Sequence, residues 1–178
     1  MSNYVVGLTG NYSDSSRTNT LVSKIVSETS SKYGFEKTFY NLCSFGDSLA
    51  LARTSDQLDH RARTVIQDIL DADVLVVGVP TYQASYPGMF KHLFDMVDPH
   101  ALAGKPVILA ATGGTERHAL MIEHQLRPLF AYFRTATVAT AIYAASSEYN
   151  GQQLRDSGLQ QRIYRAVDEL NSFLTIKS

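Results

Sequence analysis

Short, mostly apolar segments alternate with longer segments of helical periodicity along the 178-residue chain. Such apolar segments are typical of parallel strands covered on both faces, and they predict strands at 4–8, 74–79, 106–111 and 138–145. The segment 36–42 alternates between polar and apolar residues, which predicts a less buried strand. Apolar residues spaced three and four positions apart predict helices, at about 21–33, 59–71, 87–97, 116–134 and 159–174. Because parallel strands need helical crossovers, this alternation predicts an α/β doubly wound sheet.

Residues 43–57 interrupt the regular alternation, because Phe45, Leu49 and Leu51 follow no clear period. We expect a loop or a short helix there. No proline- or glycine-rich linker and no internal repeat divides the sequence, and a chain of this length can bury a sizeable core. We therefore expect residues 1–178 to form a single domain.

Composition and charge exclude several classes of function. Apolar residues make up 44% and charged residues 19% of the chain, as in ordinary globular proteins. The net charge of −1 gives no reason to expect binding to nucleic acid or to a membrane surface. Cys43 is the only cysteine, which rules out an intrachain disulfide and a cysteine-cluster metal site, and we expect no metal. Without an apolar segment of about 18 residues or a signal-peptide pattern, we expect a cytoplasmic protein.

The segment 10–20, between the first strand and the first helix, consists mostly of hydrogen-bond donors. Backbone N–H groups at a helix N-terminus attract anions, and this segment adds the Arg17 guanidinium and the hydroxyl groups of Ser13, Ser15, Ser16, Thr18 and Thr20. It contains neither a P-loop lysine nor the Gly-x-Gly-x-x-Gly pattern for a pyrophosphate. The segment therefore favours a terminal monophosphate, as in FMN, over ATP or NAD. The alternative is a serine-rich turn in which Ser16 or Thr18 caps the helix.

Two further loops follow strands whose carboxyl ends should lie near the first loop. Residues 80–88 combine two prolines with two tyrosines, which suits a rigid ledge for a flat heteroaromatic ring. Residues 112–115 contain two glycines, which allow a ligand to approach the backbone N–H groups closely. The alternatives are ordinary turns that cover the end of the sheet. Together the three loops predict one elongated site, with the phosphate at the first loop and the ring between the others.

His124 and Pro128 predict an irregularity in the helix at 116–134. Pro128 has no N–H group to donate to the carbonyl of His124, four residues earlier. A one-residue π-bulge would relieve the broken hydrogen-bond ladder, and such bulges are frequent at functional sites. The alternative is a simple proline kink. We expect irregular helical hydrogen bonding between about Met121 and Pro128.

These features together resemble the NADPH-dependent FMN reductases of the flavodoxin-like superfamily. Closest are the small reductases that supply reduced flavin to two-component alkanesulfonate and methanesulfonate monooxygenases. The resemblance spans about residues 4–144 and is carried by the stretches 16–21, 80–88 and 111–115 with His118. It implies a flavodoxin-like five-stranded parallel sheet of order 2-1-3-4-5 with helices on both faces. It also implies binding of FMN and NADPH, a homodimer or homotetramer, and a monooxygenase partner that uses reduced FMN.

The resemblance implies roles for residues in all three loops. The FMN phosphate would be held by Ser16, Arg17, Thr18 and Thr20, with Asn19 as a further cofactor-binding residue of the same loop. The isoalloxazine ring would be framed by Pro80, Thr81, Tyr82, Gln83, Thr112, Gly113, Gly114 and Thr115. In the alkanesulfonate branch, an inserted tyrosine creates a π-helix at the subunit interface. His124 matches that position and looks like the methanesulfonate branch, which makes it a candidate for flavin exchange or for an interface.

The reaction implied by the resemblance is hydride transfer from the nicotinamide to flavin N5, with no protein acid or base. Preference for NADPH over NADH rests on the resemblance alone. A quinone, azo or chromate reductase of the same fold is an alternative. A flavodoxin-type electron carrier is less favoured, because such carriers are strongly acidic and this chain has a net charge of −1. A non-catalytic FMN-binding regulatory module is the least favoured class.

Overall fold

The computed structural model describes residues 3–155 and 158–174, in which helices cover both faces of a parallel sheet. The strands are β1 Tyr4–Thr9, β2 Glu36–Tyr40, β3 Val74–Pro80, β4 Pro106–Gly113, β5 Ala136–Thr137, β6 Ile142–Ala145, β7 Tyr149–Asn150 and β8 Gln153–Leu154. The α-helices are α1 Arg17–Tyr33, α2 Ser48–Leu51, α3 His60–Asp71, α4 Gly88–Asp95, α5 Arg127–Tyr132, α6 Gly158–Glu169 and α7 Asn171–Leu174. None of the helices that the structure describes is long and apolar enough to cross a membrane.

The strand pairs of the main sheet are all parallel, and their order is β2-β1-β3-β4-β5, with β6 also paired to β4. This confirms the predicted order 2-1-3-4-5. Side chains alternate between the two faces along a strand. Val76 of β3 therefore packs on the face covered by α1 and α6, whereas Val77 packs on the face covered by α3, α4 and α5.

Helix α1 lies unusually close to the sheet because two glycines face it. A Cβ atom at Gly78 would lie 2.2 Å from Cγ2 of Val22, and one at Gly7 would lie 2.8 Å from Cγ2 of Val26. Glycine at both positions allows the contact. The helix begins at Arg17, four residues earlier than its apolar stripe predicts, because Ser16 caps it. Its N-terminus is thereby placed beside the carboxyl ends of β1 and β3.

The prediction of one continuous fifth strand over 138–145 is wrong. The structure has two short strands, β5 and β6, which pair with opposite ends of β4. In the residues between the two strands, several backbone groups bond to side chains instead of to β4. Arg127 donates to the carbonyl oxygens of Val138 (3.0 Å) and Ala139 (3.2 Å). The N–H and hydroxyl groups of Thr140 donate to the Glu169 carboxylate. These bonds occupy backbone groups that a continuous ladder would have used.

The single long helix predicted at 116–134 is also wrong. That segment contains a 3₁₀ turn Glu116–His118, a π-helix Ile122–Leu126 and the short helix α5. The predicted irregularity before Pro128 is confirmed, because the Arg127 N–H bonds the carbonyl of Ile122, five residues earlier. The proline lies in the first turn of α5, where its missing N–H costs little.

Residues 43–57 follow the sequence prediction, and the closing helix differs from it in one respect. The short helix α2 lies between the 3₁₀ turns Leu42–Phe45 and Ser55–Gln57, as expected for a loop or short helix. The closing helix, predicted over 159–174, is interrupted between α6 and α7.

Candidate functional site

The carboxyl ends of β1, β3 and β4 lie side by side and bring the three predicted loops together. The N–H of Gly10 donates to the carbonyl of Gly78 at 2.9 Å, and the N–H of Thr81 donates to the carbonyl of Thr112 at 2.7 Å. The buried hydroxyl groups of Thr18 and Thr112 lie 2.7 Å apart, which joins the first loop to the third. In sheets of this order, ligands bind at this edge, where the strand order reverses between β1 and β3.

The N-terminus of α1 presents free donors at this edge. The Ser16 hydroxyl accepts from the N–H of Asn19 at 3.0 Å, and the Ser16 carbonyl accepts from the N–H and, at 3.3 Å, the hydroxyl of Thr20. The N–H groups of Arg17 and Thr18 make no hydrogen bond to the residues that the structure describes. Because the helix dipole adds partial positive charge at this end, the two groups can bind an anion.

Asn19 shapes the first loop from within. Its amide oxygen accepts from the Thr9 hydroxyl at 2.8 Å and from the Asn11 amide at 2.9 Å. Its NH₂ group donates to the carbonyl oxygens of Ser13 (2.7 Å) and Asp14 (3.1 Å). An asparagine side chain has two donors and two acceptor positions, so all four are used. Asn19 therefore fixes the course of the loop and has no donor left for a phosphate.

Arg17, the first residue of α1, is half-buried and bonded across the chain. Its Nη1 donates to the Ser146 hydroxyl at 2.8 Å, and its Nε donates to the carbonyl of Gly151 at 3.2 Å. The guanidinium of the first helical residue is therefore bonded to the residues that follow β6, and it retains further N–H groups. Sequence reasoning identified the arginine but not its partners, which lie far away along the chain.

The second loop contains a strained two-residue turn. Tyr82 and Ser85 exchange backbone hydrogen bonds of 2.8 and 3.0 Å around Gln83 and Ala84. Both central residues have positive φ, 48° and 67°, as in a type I′ turn. Holding non-glycine residues there costs on the order of 1–3 kcal/mol each. The surrounding fold holds this strain at the predicted ring ledge, beside the exposed side chain of Tyr82.

The two glycines of the third loop have different surroundings. A Cβ atom at Gly113 would lie 2.0 Å from the hydroxyl oxygen of Tyr143, whereas one at Gly114 would meet nothing within 4 Å. Tyr143 thus requires glycine at position 113. Sequence reasoning missed Tyr143, because no sequence pattern marks this residue. Open space for a ligand is found at Gly114.

A buried hydroxyl group without a regular hydrogen bond lies beside these glycines. The Tyr143 hydroxyl donates to the carbonyl of Thr115 at 2.7 Å, and burial raises the pKa of Tyr143, so the phenol keeps its proton. Oγ1 of Thr81 is buried beside the Tyr143 hydroxyl but makes no hydrogen bond of regular geometry within residues 3–155 and 158–174. Buried hydroxyl groups rarely stay unpaired. The site therefore has a polar group available for the edge of a ring, which fits a bound flavin.

His124 lies in the π-helix, beside the second loop. It lines a groove of about 610 Å³ on the face formed by α4, the π-helix and α5, together with Tyr86, Phe94, Pro128, Leu129 and Tyr132. The Ser85 hydroxyl approaches Oε1 of Gln125 at 3.4 Å, which connects the π-helix to the second loop. The π-helix therefore borders both the groove and the candidate site.

Comparison with known proteins agrees with this geometry. The family described as NADPH-dependent FMN reductase matches residues 4–150. The chain belongs to this family. Its members are oxidoreductases that use FMN and NAD(P)H, which confirms the resemblance found in the sequence.

Two curated members of the FMN reductase family cover most of the chain. NADH-dependent FMN reductase SfnF of Pseudomonas fluorescens is 39% identical over 92% of this chain and 88% of its own length. FMN reductase (NADPH) of Pseudomonas aeruginosa is 37% identical over the same shares. Among solved structures, an oxidoreductase from Corynebacterium diphtheriae superposes with a TM-score of 0.85 at 30% identity, covering 100% of both chains.

The two adjacent glycines of the third loop should respond differently to alanine. Gly113→Ala should lower the free energy of unfolding by about 1–3 kcal/mol, because the new Cβ overpacks against Tyr143. Gly114→Ala should change it by less than about 0.5 kcal/mol but should weaken FMN binding. Urea unfolding and FMN titration of both variants measure the two effects. Equal losses of stability would contradict the assignment of the two glycines.

Proposed function

We propose that this protein is a NAD(P)H-dependent FMN reductase whose single FMN-binding domain supplies reduced FMN to a partner monooxygenase. The observation that carries the proposal is the convergence of three loops at the switch point, in a chain of the FMN reductase family. One loop offers anion donors and the other two offer a ledge and an open glycine. An azoreductase has weaker support, because the azoreductase of Staphylococcus haemolyticus is 27% identical over 67% of this chain, against 39% and 37% over 92% for the FMN reductases.

The phosphate of FMN would be held at the first loop. Arg17 supplies charge and the N–H groups of Arg17 and Thr18 supply backbone donors, while the Ser16 and Thr20 hydroxyls line the same helix end. A charge-assisted hydrogen bond contributes about 1.5–3 kcal/mol. Asn19, whose side chain is fully bonded within the loop, would hold these groups in place.

The ring would lie between the second and third loops. Pro80, the last residue of β3, is paired in register with Thr112 of β4, and the two would form the floor. Thr81 offers its buried hydroxyl, and the turn closed by Tyr82 and Ser85, with Gln83 at positive φ, would form one wall. Across from it, Gly113, Gly114 and Thr115 present backbone N–H groups at which negative charge on the ring can be stabilised.

When bound, FMN supplies the redox chemistry by accepting a hydride from NAD(P)H at N5. The residues of this chain bind and orient the two reactants, which can supply a large part of the rate enhancement. No side chain is assigned as an acid or a base. We propose both NADPH and NADH as hydride donors, because one of the two curated relatives is named for NADH and the other for NADPH. The monooxygenase partner in sulfonate metabolism rests on the resemblance found in the sequence, and a cytoplasmic location suits NAD(P)H.

A steady-state assay tests the proposed reaction. Oxidation of NADPH and of NADH should proceed over many turnovers when FMN is in excess, and more slowly with riboflavin, which lacks the phosphate. Absorbance of the reduced nicotinamide measures the rate, with FAD as a third acceptor. Absence of multiple turnover with FMN from both nicotinamides would refute the reductase and favour a carrier or a regulatory module.

We also propose that the protein is a homodimer or homotetramer that associates through the groove beside His124. Tyr132 at this groove exposes 66% of its surface. Tyr132→Glu should shift the mass measured by sedimentation towards the monomer, because a buried carboxylate would be unpaired. Tyr164→Glu, at an exposed tyrosine of α6, is the matched control and should leave the mass unchanged. A monomeric wild-type protein would contradict the proposal.

A further inference from the structure

Residues 146–154, which follow β6, contact the start of α1, although the two are far apart in sequence. The Ser146 hydroxyl accepts from Nη1 of Arg17 at 2.8 Å, and the Gly151 carbonyl accepts from Nε at 3.2 Å. Both contacts fall on the arginine that the proposed function assigns to the flavin phosphate. The segment thus holds a residue of the site without itself belonging to the three loops.

Tyr149 supports the same arginine from a third direction. Its ring lies 5.4 Å from Cζ of Arg17, within the range of a cation–π contact. Its hydroxyl donates to the backbone carbonyl of Arg17 at 3.0 Å. The residue is buried, and burial raises the pKa of Tyr149, so the hydroxyl keeps the proton that it donates. The first residue of α1 is therefore held by both its side chain and its backbone.

Residues 146–154 are themselves held by hydrogen bonds. Strands β7 and β8 form an antiparallel hairpin, and Gly151 makes its turn at a φ of 62°. The Glu148 carboxylate accepts from the N–H of Ala145 at 3.3 Å and from Arg162 of α6 at 2.7 Å. The N–H of Arg155 donates to the Glu148 carbonyl at 2.9 Å. The Ser146 hydroxyl is therefore presented from a supported turn.

The role of the Ser146 hydroxyl follows from its contact with Arg17. A guanidinium can only donate, and a serine hydroxyl has one hydrogen and two lone pairs, so Ser146 accepts from Arg17 at 2.8 Å. The same oxygen lies 3.5 Å from the carbonyl oxygen of Gly113 in the third loop, which is longer than a normal O–H···O hydrogen bond. The serine thus lies between the phosphate end and the ring end of the proposed site.

The bonded arginine keeps enough donors for a phosphate. A guanidinium has five N–H donors, and Ser146 and Gly151 use one each, which leaves three. A free arginine side chain loses up to about 2 kcal/mol of conformational entropy when it is ordered. The contacts with this segment order it before a ligand arrives, so less of that cost falls on binding.

We propose that Ser146 is a positioning residue that orients Arg17 towards the flavin 5′-phosphate and so gives the protein its preference for FMN over unphosphorylated flavin. The inference rests on the proposed function, because it needs the phosphate to bind at the first loop. It goes further by naming what selects the phosphorylated flavin.

Binding of FMN and riboflavin to matched variants tests this role. The dissociation constants are measured by quenching of flavin fluorescence, and thermal unfolding checks that each variant is folded. Ser146→Ala should weaken FMN binding about three- to tenfold and leave riboflavin binding unchanged. Ser146→Thr keeps a hydroxyl group and should restore FMN binding. Ser147→Ala is the control, because the neighbouring hydroxyl bonds Glu116 rather than Arg17, and it should bind both flavins as the wild type does.

Arg17→Ala separates this inference from the proposed function. It should weaken FMN binding about ten- to a hundredfold, and adding Ser146→Ala to it should cause no further loss, because the serine acts through the arginine. Unchanged FMN preference in Arg17→Ala would overturn the phosphate assignment itself. The role of Ser146 alone would be overturned if Arg17→Ala has the expected effect but Ser146→Ala does not. That holds if Ser146→Ala weakens FMN and riboflavin binding equally, leaves FMN binding unchanged or makes it tighter.

Discussion

The close packing of α1 against β1 and β3 is the contact on which the candidate site depends. Gly7 and Gly78 let the helix approach until Val22 and Val26 fill the space that Cβ atoms would take. The N-terminus of α1 is then fixed above the switch point between β1 and β3. A larger residue at either glycine would push the helix outward, and with it the donors that the first loop offers to an anion.

From this anchor the site is built by hydrogen bonds within the first loop and between the loops. Asn19 gathers the first loop around the start of α1, the hydroxyl pair of Thr18 and Thr112 joins it to the third loop, and Ser146 adds a second connection. The ring end carries local strain at Gln83, while Gly114 remains open. The first loop is thus held by several hydrogen bonds, while the third loop leaves open space at Gly114.

The sequence predicted the features that local patterns encode. Three buried strands are continuously apolar and β2 alternates, so four strands were predicted from the sequence pattern, whereas the sheet order came from the family resemblance. The missing N–H of Pro128 correctly indicated the π-helix. The break between β5 and β6 was not predictable, because it depends on Arg127 bonding distant carbonyl groups. The partners of Arg17 were missed for the same reason: Ser146 lies 129 residues away, and only the folded sheet brings the two together.

A crystal structure of the protein with FMN tests the central claim most directly. The account predicts the phosphate within hydrogen-bond distance of the Arg17 guanidinium and of the N–H groups of Arg17 and Thr18, with the ring between Thr81 and Gly114. Arg17 should keep its contact with Ser146. FMN bound elsewhere, for example in the groove beside His124, or with its ring at the first loop, would contradict the account.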